Sequence, residues 1–386
     1  MPSRSRKNTL SRRKELLFLS ARKFSFSSRR YECTRSYCFG SLPIELIVME
    51  MVLHGDARED LGVHHENGYS GLPSKVKADT VVAKNGSGKY RTVQEAVNHA
   101  PKINGSSRHV IYIKSGRYKE NVVVGPQKRN LTFTGDGKGK TILSSNQSGG
   151  KLISSSGSLV VQGNGFLAIG ITFENTAASD APAVAMMCSS DRSAFFQCEF
   201  RGFQDTLYAK INRQFYKQCD IYGTIDFIFG DAAAVFQDCN IRVRKPRGNH
   251  TNVITAQGKS SRNTKTGTVL HHCNIIAAEY LGNVKTYLGR PWKQFSTTVV
   301  MQCSIDKLVD PSGWLEWFGH PEYKQTATYR EFGNQGHGAD TRRRVAWPGY
   351  KVIKARVEAE QYTVAAFIDG AQWLPLLGVP FTPGLK

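Results

Sequence analysis

Along most of this chain, apolar and aromatic residues come in short bursts separated by Gly, Asn and Asp, and between Phe195 and Ile241 the bursts repeat. Phe196-Gln-Cys198-Glu-Phe200 is followed by Tyr216-Lys-Gln-Cys219-Asp-Ile221 and then by Phe236-Gln-Asp-Cys239-Asn-Ile241. Each cysteine follows aromatic residues and precedes, by two positions, a large apolar side chain. The cysteines lie 21 and then 20 residues apart, and fixed-period self-similarity on this scale marks a solenoid. The bursts are too short for helices and rich in β-branched and aromatic residues, so each unit reads as one coil of an all-β, single-stranded parallel β-helix.

The flanking pattern extends this picture. Thr80-Val-Val-Ala83 predicts a strand and Gly86-Ser-Gly88 a turn. Thr92-Val-Gln-Glu95 is a capping box that opens a short helix from Val93 to Ala100, ended by Pro101. One N-terminal helix suits a cap over the open end of a β-helix, which must not expose its first edge. Strands are predicted over His109–Ile113, Asn130–Thr134, Leu159–Gln162 and Phe166–Phe173. Looser copies of the repeat centre on Cys273 and Cys303, after 34 and 30 residues, so the additional length must leave the coils as loops. Val357–Ile368 predicts a helix on the outside, and the tail from Leu374 is irregular. Residues 1–79 read as a basic segment and linker, with an Arg- and Ser-rich start resembling a transit peptide and an apolar run, Leu42–Leu53, broken by Glu45 and Glu50. The solenoid domain is assigned to residues 80–386.

Charge narrows the partner class. The formal net charge is +21 over 386 residues; residues 1–40 hold eleven Lys/Arg against two Glu, or +9, which leaves +12 for the rest. A basic body suits a polyanion, either nucleic acid or an acidic polysaccharide. No helix-turn-helix, zinc-finger or RNP-type signature appears, which argues against nucleic acid. No run of 18 apolar residues is present to span a membrane. Eight cysteines occur, and Cys33 and Cys38 lack the partners of a zinc site. The repeat cysteines, one coil apart, fit either disulfides or a column of reduced thiols acting as small apolar residues. Sequons at Asn85, Asn104, Asn130, Asn146 and Asn249 are consistent with secretion.

Candidate chemistry lies in the same repeat. Asp205 stands seven residues past Cys198 and Asp226 seven past Cys219, with Gly202 and Gly223 at +4 in both units. Equivalent positions on successive coils are about 4.8 Å apart, so the two aspartates are predicted side by side. Neighbouring carboxyls cannot both ionise cheaply, which yields a proton donor beside a charged nucleophile or base. Gln204 adjoins Asp205 and can donate an amide N–H to an oxyanion. The dyad alone does not choose between ester and glycoside cleavage. A lyase would need a calcium cluster of acidic ligands, and no acid-dense segment accompanies the pair.

Neighbouring motifs make that choice. Gly116-Arg-Tyr-Lys-Glu120, Gly202-Phe-Gln-Asp-Thr-Leu-Tyr208, Gly223-Thr-Ile-Asp-Phe-Ile-Phe-Gly230, Val253-Ile-Thr-Ala-Gln257, Leu288-Gly-Arg-Pro-Trp292, Gly313-Trp-Leu-Glu-Trp317 and Trp347-Pro-Gly-Tyr350 resemble the signature motifs of plant pectin methylesterases from Thr80 to Phe381. The resemblance implies a right-handed parallel β-helix that hydrolyses methyl esters of galacturonate in pectin. It implies Asp226 as nucleophile, Asp205 as general acid and then base, Gln204 as oxyanion donor, Arg290 as partner of Asp226 and holder of substrate, and Trp292 as a platform for a sugar. It implies no metal or other cofactor. Methylesterified pectin is the expected partner, with a proteinaceous inhibitor as a second, and the expected state is a secreted, cell-wall monomer. Three departures stand out: Pro182-Ala-Val-Ala185 where the family has Gln-Ala-Val-Ala, Ile153 and serines within Lys151–Ser158 where it has a substrate-contacting Thr-Phe pair, and no inhibitor-like pro-region. The first allows an alternative, a weakened or inactive pectin-binding solenoid.

Overall fold

The computed structural model describes residues 77–148, 156–178 and 181–386. The expectations for residues 1–76, and for Ile153, fall outside these. The described chain winds as a right-handed parallel β-helix of three sheets, with eleven, seven and eight strands. The interior coils each contribute one strand to each sheet. One coil comprises Ser193–Phe196, Glu199–Arg201 and Leu207–Ala209; the next comprises Arg213–Lys217, Asp220–Gly223 and Ile228–Gly230.

The repeat read from the sequence is the coil itself. Phe195 pairs in register with Tyr216 and Tyr216 with Phe236, and their rings stack at 4.9 and 4.3 Å, nearly parallel. Phe200, Ile221 and Ile241 form a second interior column. Aromatic stacking along the axis contributes about 0.5–1.5 kcal/mol per pair beyond the area buried. The polar residue before each cysteine turns the corner between two sheets: Gln197, Gln218, Asp238, His272 and Gln302 all have φ between 51° and 57°. A non-glycine residue there costs about 1–2 kcal/mol, and neighbouring coils hold it through bonds such as Gln218 N–H to the Gln237 carbonyl at 3.1 Å.

The six cysteines of the described residues are free and buried. The column from Cys198 to Cys303 is therefore the reduced alternative, and the disulfide alternative is not realised. Stacked side chains all point the same way, and each thiol donates to a carbonyl of the preceding coil, as Cys219 does to Phe195 at 3.3 Å and Cys239 to Tyr216 at 3.4 Å.

The predicted cap is present as the helix Val93–His99. Thr92 Oγ1 accepts from Glu95 N–H at 3.3 Å, and the Glu120 carboxylate takes Val93 and Gln94 N–H at 3.0 Å each. Val93, Ala96 and Val97 close the end of the core. Three predictions need correction. Phe166–Phe173 is two strands, Leu167–Ile169 and Thr172–Asn175, because Gly170 turns the corner at φ 64°. Asn130 lies before its strand, in a left-handed turn at φ 52°, and the strand is Leu131–Gly135. Val357–Ile368 is not one helix but two, Arg356–Glu360 and Val364–Phe367. Thr363 breaks it: its Oγ1 donates to the Glu360 carbonyl at 2.7 Å and its backbone turns extended. The outside location is right, since Val364, Phe367, Ile368 and Trp373 cover Leu167, Phe196, Phe215 and Val235 on the outer face of the eleven-stranded sheet.

Candidate active site

Asp205 and Asp226 precede adjacent strands of the seven-stranded sheet. Leu207 pairs with Ile228, an offset of 21 residues, and the same offset carries Asp205 onto Asp226. The backbone continues that register, with Asp205 N–H donating to the Ile225 carbonyl at 3.0 Å and Leu207 N–H to Phe227 at 2.9 Å. Both aspartates take left-handed backbone conformations, φ 62° and 52°. Strained backbone of this kind persists where surrounding structure over-determines it. The glycines at +4 from the cysteines have a steric cause. A Cβ on Gly202 would meet Thr206 Oγ1 at 2.5 Å, and one on Gly223 would meet Phe227 Cβ at 2.1 Å.

The two carboxyls are buried, 9% and 5% exposed, and differently partnered. Arg290 Nε donates to one oxygen of Asp226 at 2.8 Å and Nη2 to the other at 2.6 Å. Arg290 follows the strand Thr286–Gly289, its N–H donates to the Thr255 carbonyl at 2.9 Å, and its guanidinium lies 4.5 Å from the ring centre of Trp317. Burial and the adjacent Asp226 charge push the Asp205 carboxyl up to about 8, against a smaller opposing effect of Arg290. Burial also raises Asp226, and Arg290 pulls it back. At Asp226 desolvation outweighs the guanidinium. Only Asp226 has a cation clasped to it.

Gln204 is half-buried beside the pair. Its carbonyl accepts Ala183 N–H at 3.1 Å, while its side-chain amide makes no hydrogen bond among the described residues. Pro182 adjoins Ala183 on the neighbouring coil and has no N–H to offer. Beyond the aspartates, Tyr208 and Phe229 stack at 4.3 Å on the outer face, and Trp292 packs edge-on to Phe229 at 6.0 Å. Gly258 is needed under that ring, since a Cβ there would lie 2.7 Å from Trp292 Cε3. On the other side Arg244 covers Phe203 at 3.7 Å and donates to the Gly202 carbonyl at 2.9 Å. The fold thus assembles Gln204, Asp205, Asp226, Arg290 and Trp292 along one sheet. Trp317 and Arg244 received no role from the sequence, because only the fold brings them to Arg290 and Phe203. Among the described residues no cluster of three or more His, Cys, Asp or Glu could hold a metal ion.

The family model described as Pectinesterase matches residues 79–371. The chain belongs to the pectinesterase family. A probable pectinesterase/pectinesterase inhibitor 17 of Arabidopsis thaliana is 50% identical over 81% of this chain and 61% of its own length. Pectinesterase 2 of Citrus sinensis is 48% identical over 81% and 62%. The chain thus spans about three fifths of the length of these curated pectinesterases. The solved pectin methylesterase from carrot superposes with a TM-score of 0.79 at 45% identity, covering 81% of this chain and all of that one. The pectin methylesterase of Aspergillus niger matches with a TM-score of 0.67 at 26% identity, over 81% and 98%.

Proposed function

We propose that this chain hydrolyses the methyl esters of galacturonate units in pectin, releasing methanol and leaving the free carboxylate. The observation that carries the reading is the asymmetry of the dyad: two carboxyls in register on adjacent coils, one clasped by Arg290 and the other held protonated to about 8. Asp226 attacks the ester carbonyl carbon, and the Gln204 amide donates to the oxyanion that forms. As the tetrahedral species collapses, the C–O bond to methoxide breaks and Asp205 gives its proton to the leaving oxygen, so methanol departs and an acyl-aspartate remains. Asp205, now a carboxylate, takes a proton from water as that water attacks the acyl carbon. The second collapse frees Asp226 and the galacturonate and returns Asp205 to its protonated form. Arg290 orients Asp226 throughout, and Trp292 offers an apolar face to a sugar ring.

Pro182 supports a second reading, a solenoid that binds pectin but turns it over weakly. Losing one oxyanion donor costs on the order of 10²–10³ in rate. Methanol release from methylesterified pectin, with Asp226→Ala as the control, separates the two; equal rates for both proteins would end the esterase reading. The names of the Arabidopsis relatives join pectinesterase to pectinesterase inhibitor, and a proteinaceous inhibitor is the second proposed partner. The proposed site of action is the cell wall, where the substrate lies, with the protein acting as a monomer.

A further inference from the structure

Residues 380–386 lie on the outer face of the eleven-stranded sheet, where Phe381 packs edge-on to Phe215 at 6.5 Å and Leu385 joins the same apolar cluster. Two glutamines hold this segment by its backbone. Gln237 Nε2 donates to the Thr382 carbonyl at 2.9 Å, and Gln237 Oε1 accepts Thr382 N–H at 2.8 Å. Gln302 grips Lys386 in the same way, at 2.6 and 3.0 Å. Between the glutamines stands His271, buried and paired in register with Gln237. Its Nδ1 lies 3.3 Å from Gln237 Nε2, and its Nε2 lies 3.0 Å from Gln302 Oε1.

The backbone fixes every proton along this line of contacts. A peptide N–H can only donate and a peptide carbonyl only accept, so Thr382 and Lys386 set which end of each amide is which. The Gln237 amide nitrogen therefore donates to Nδ1, and the ring hydrogen sits on Nε2 and goes to Gln302. His271 is held neutral, in one tautomer. Gln237 cannot turn over, because Lys217 Nζ also donates to its Oε1 at 3.1 Å. A proton added at Nδ1 would set two donors face to face in a buried place, which costs the desolvation of both.

We propose that His271 is an acid-operated latch: when its ring takes a second proton, Gln237 releases Thr382 and the segment 380–386 lifts from the sheet. Burial lowers the imidazole from its ordinary 6.5, Gln302 and Asp238 raise it, and His272 and Lys386 lower it. Lys217, Lys386 and His272 all pair with Asp238. Burial would raise that carboxyl, but Lys217 and Lys386 hold it down to about 2, so its charge outlasts the range in which the latch works. Once the segment is open, an exposed imidazole takes its proton near about 6.5, whereas the closed form resists it. The latch is therefore shut above that value and weakens as pH falls toward the lower value of the closed form. Over that interval opening gains about tenfold per pH unit. Each methyl ester hydrolysed leaves a carboxylate and a proton, so turnover would itself favour opening, but the latch stands whether or not the chain is an esterase.

The test is hydrogen exchange of residues 380–386 in the full chain at pH 7.5 and pH 5, each rate divided into that of an unstructured peptide at the same pH. The expected result is a reversible loss of protection of about tenfold at pH 5, with the coils around Phe195 to Ile241 unchanged. His271→Gln keeps a neutral acceptor and donor but cannot charge, and its segment should stay protected at both pH values. His272→Gln, which removes the neighbouring exposed imidazole, should behave as wild type does. Should His271→Gln fail to fold, the wild-type imidazole is followed by NMR, and its titration must coincide with the loss of protection. Equal protection of the wild type at both pH values overturns the proposal. So does a loss spread over the whole chain, a His271→Gln segment that loosens in step with wild type, or a dependence abolished by His272→Gln.

Discussion

Arg290 donates two hydrogen bonds to Asp226 and none to Asp205, although the two aspartates hold the same register position on neighbouring coils. A repeat would make them equivalent; a loop two coils away makes them different. In the proposed mechanism that difference sets which one attacks and which one carries the proton.

The first consequence is a pH profile. Asp205 must be protonated to release methoxide, and its carboxyl ionises near 8, so kcat/KM should fall as pH rises through that value. It should also fall on the acid side as Asp226 protonates. Initial rates between pH 5 and 10 measure both limbs, and a rate still flat at pH 9.5 would contradict the assignment of Asp205.

The same carboxyl makes stability depend on pH. Its folded value of about 8 exceeds the ordinary 3.8. Below about pH 4 both folded and unfolded chains are protonated there, and no penalty applies. As pH rises toward 8 the unfolded chain gains by ionising while the folded one does not, so stability drains away and then levels. Asp205→Asn removes this dependence. The variant should melt higher than wild type above pH 8 and match it near pH 4, by scanning calorimetry.

Arginine at position 290 supplies a planar fork that lysine cannot copy. Arg290→Lys should lower kcat by about ten- to a hundredfold and move the acid limb upward, because burial of Asp226 would then be less opposed. An unchanged profile would remove Arg290 from the site.

Pro182 stands where the resemblance to plant pectin methylesterases implies a glutamine, and under the proposed mechanism that glutamine would donate to the oxyanion. Pro182→Gln should raise kcat for methanol release, by up to about a hundredfold if its amide reaches the same point as Gln204. A kcat at or below wild type would show that this position does not limit the reaction.

Arg344 and Glu331 form a buried pair, with Nε to Oε1 at 2.8 Å and Nη2 to Oε2 at 3.1 Å, joined by Trp314 Nε1 and the Tyr350 hydroxyl on the same carboxylate. Breaking one side of such a pair strands a buried charge. Arg344→Met should cost about 3–5 kcal/mol in denaturant unfolding, with no change in the pH profile of the remaining activity.

Much of this was legible in the sequence because a solenoid writes its geometry into spacing. The interval from Asp205 to Asp226 equals that from Leu207 to Ile228, so counting residues was equivalent to measuring register. The capping box at Thr92 was readable for a similar reason: its partners are three residues apart. Spacing is silent where contact crosses coils through loops. It could not show that Trp317 faces Arg290 or that Arg244 covers Phe203. It also could not weigh desolvation against the guanidinium at Asp226, since burial depends on everything around the carboxyl. The helix predicted over Val357–Ile368 failed for a local reason, the Thr363 side chain competing for a backbone carbonyl.

The left-handed corner residues, from Gln197 to Gln302, make every turn of the winding nearly interchangeable with the next. A whole turn gained or lost outside the span from Asp205 to Arg290 would lengthen or shorten the molecule and leave its chemistry where it was. One residue gained or lost between Asp205 and Asp226 would instead throw the pair out of step. The architecture therefore tolerates change in units of a turn and punishes it in units of a residue, so lineages of such proteins should differ in length by jumps while this one interval stays fixed.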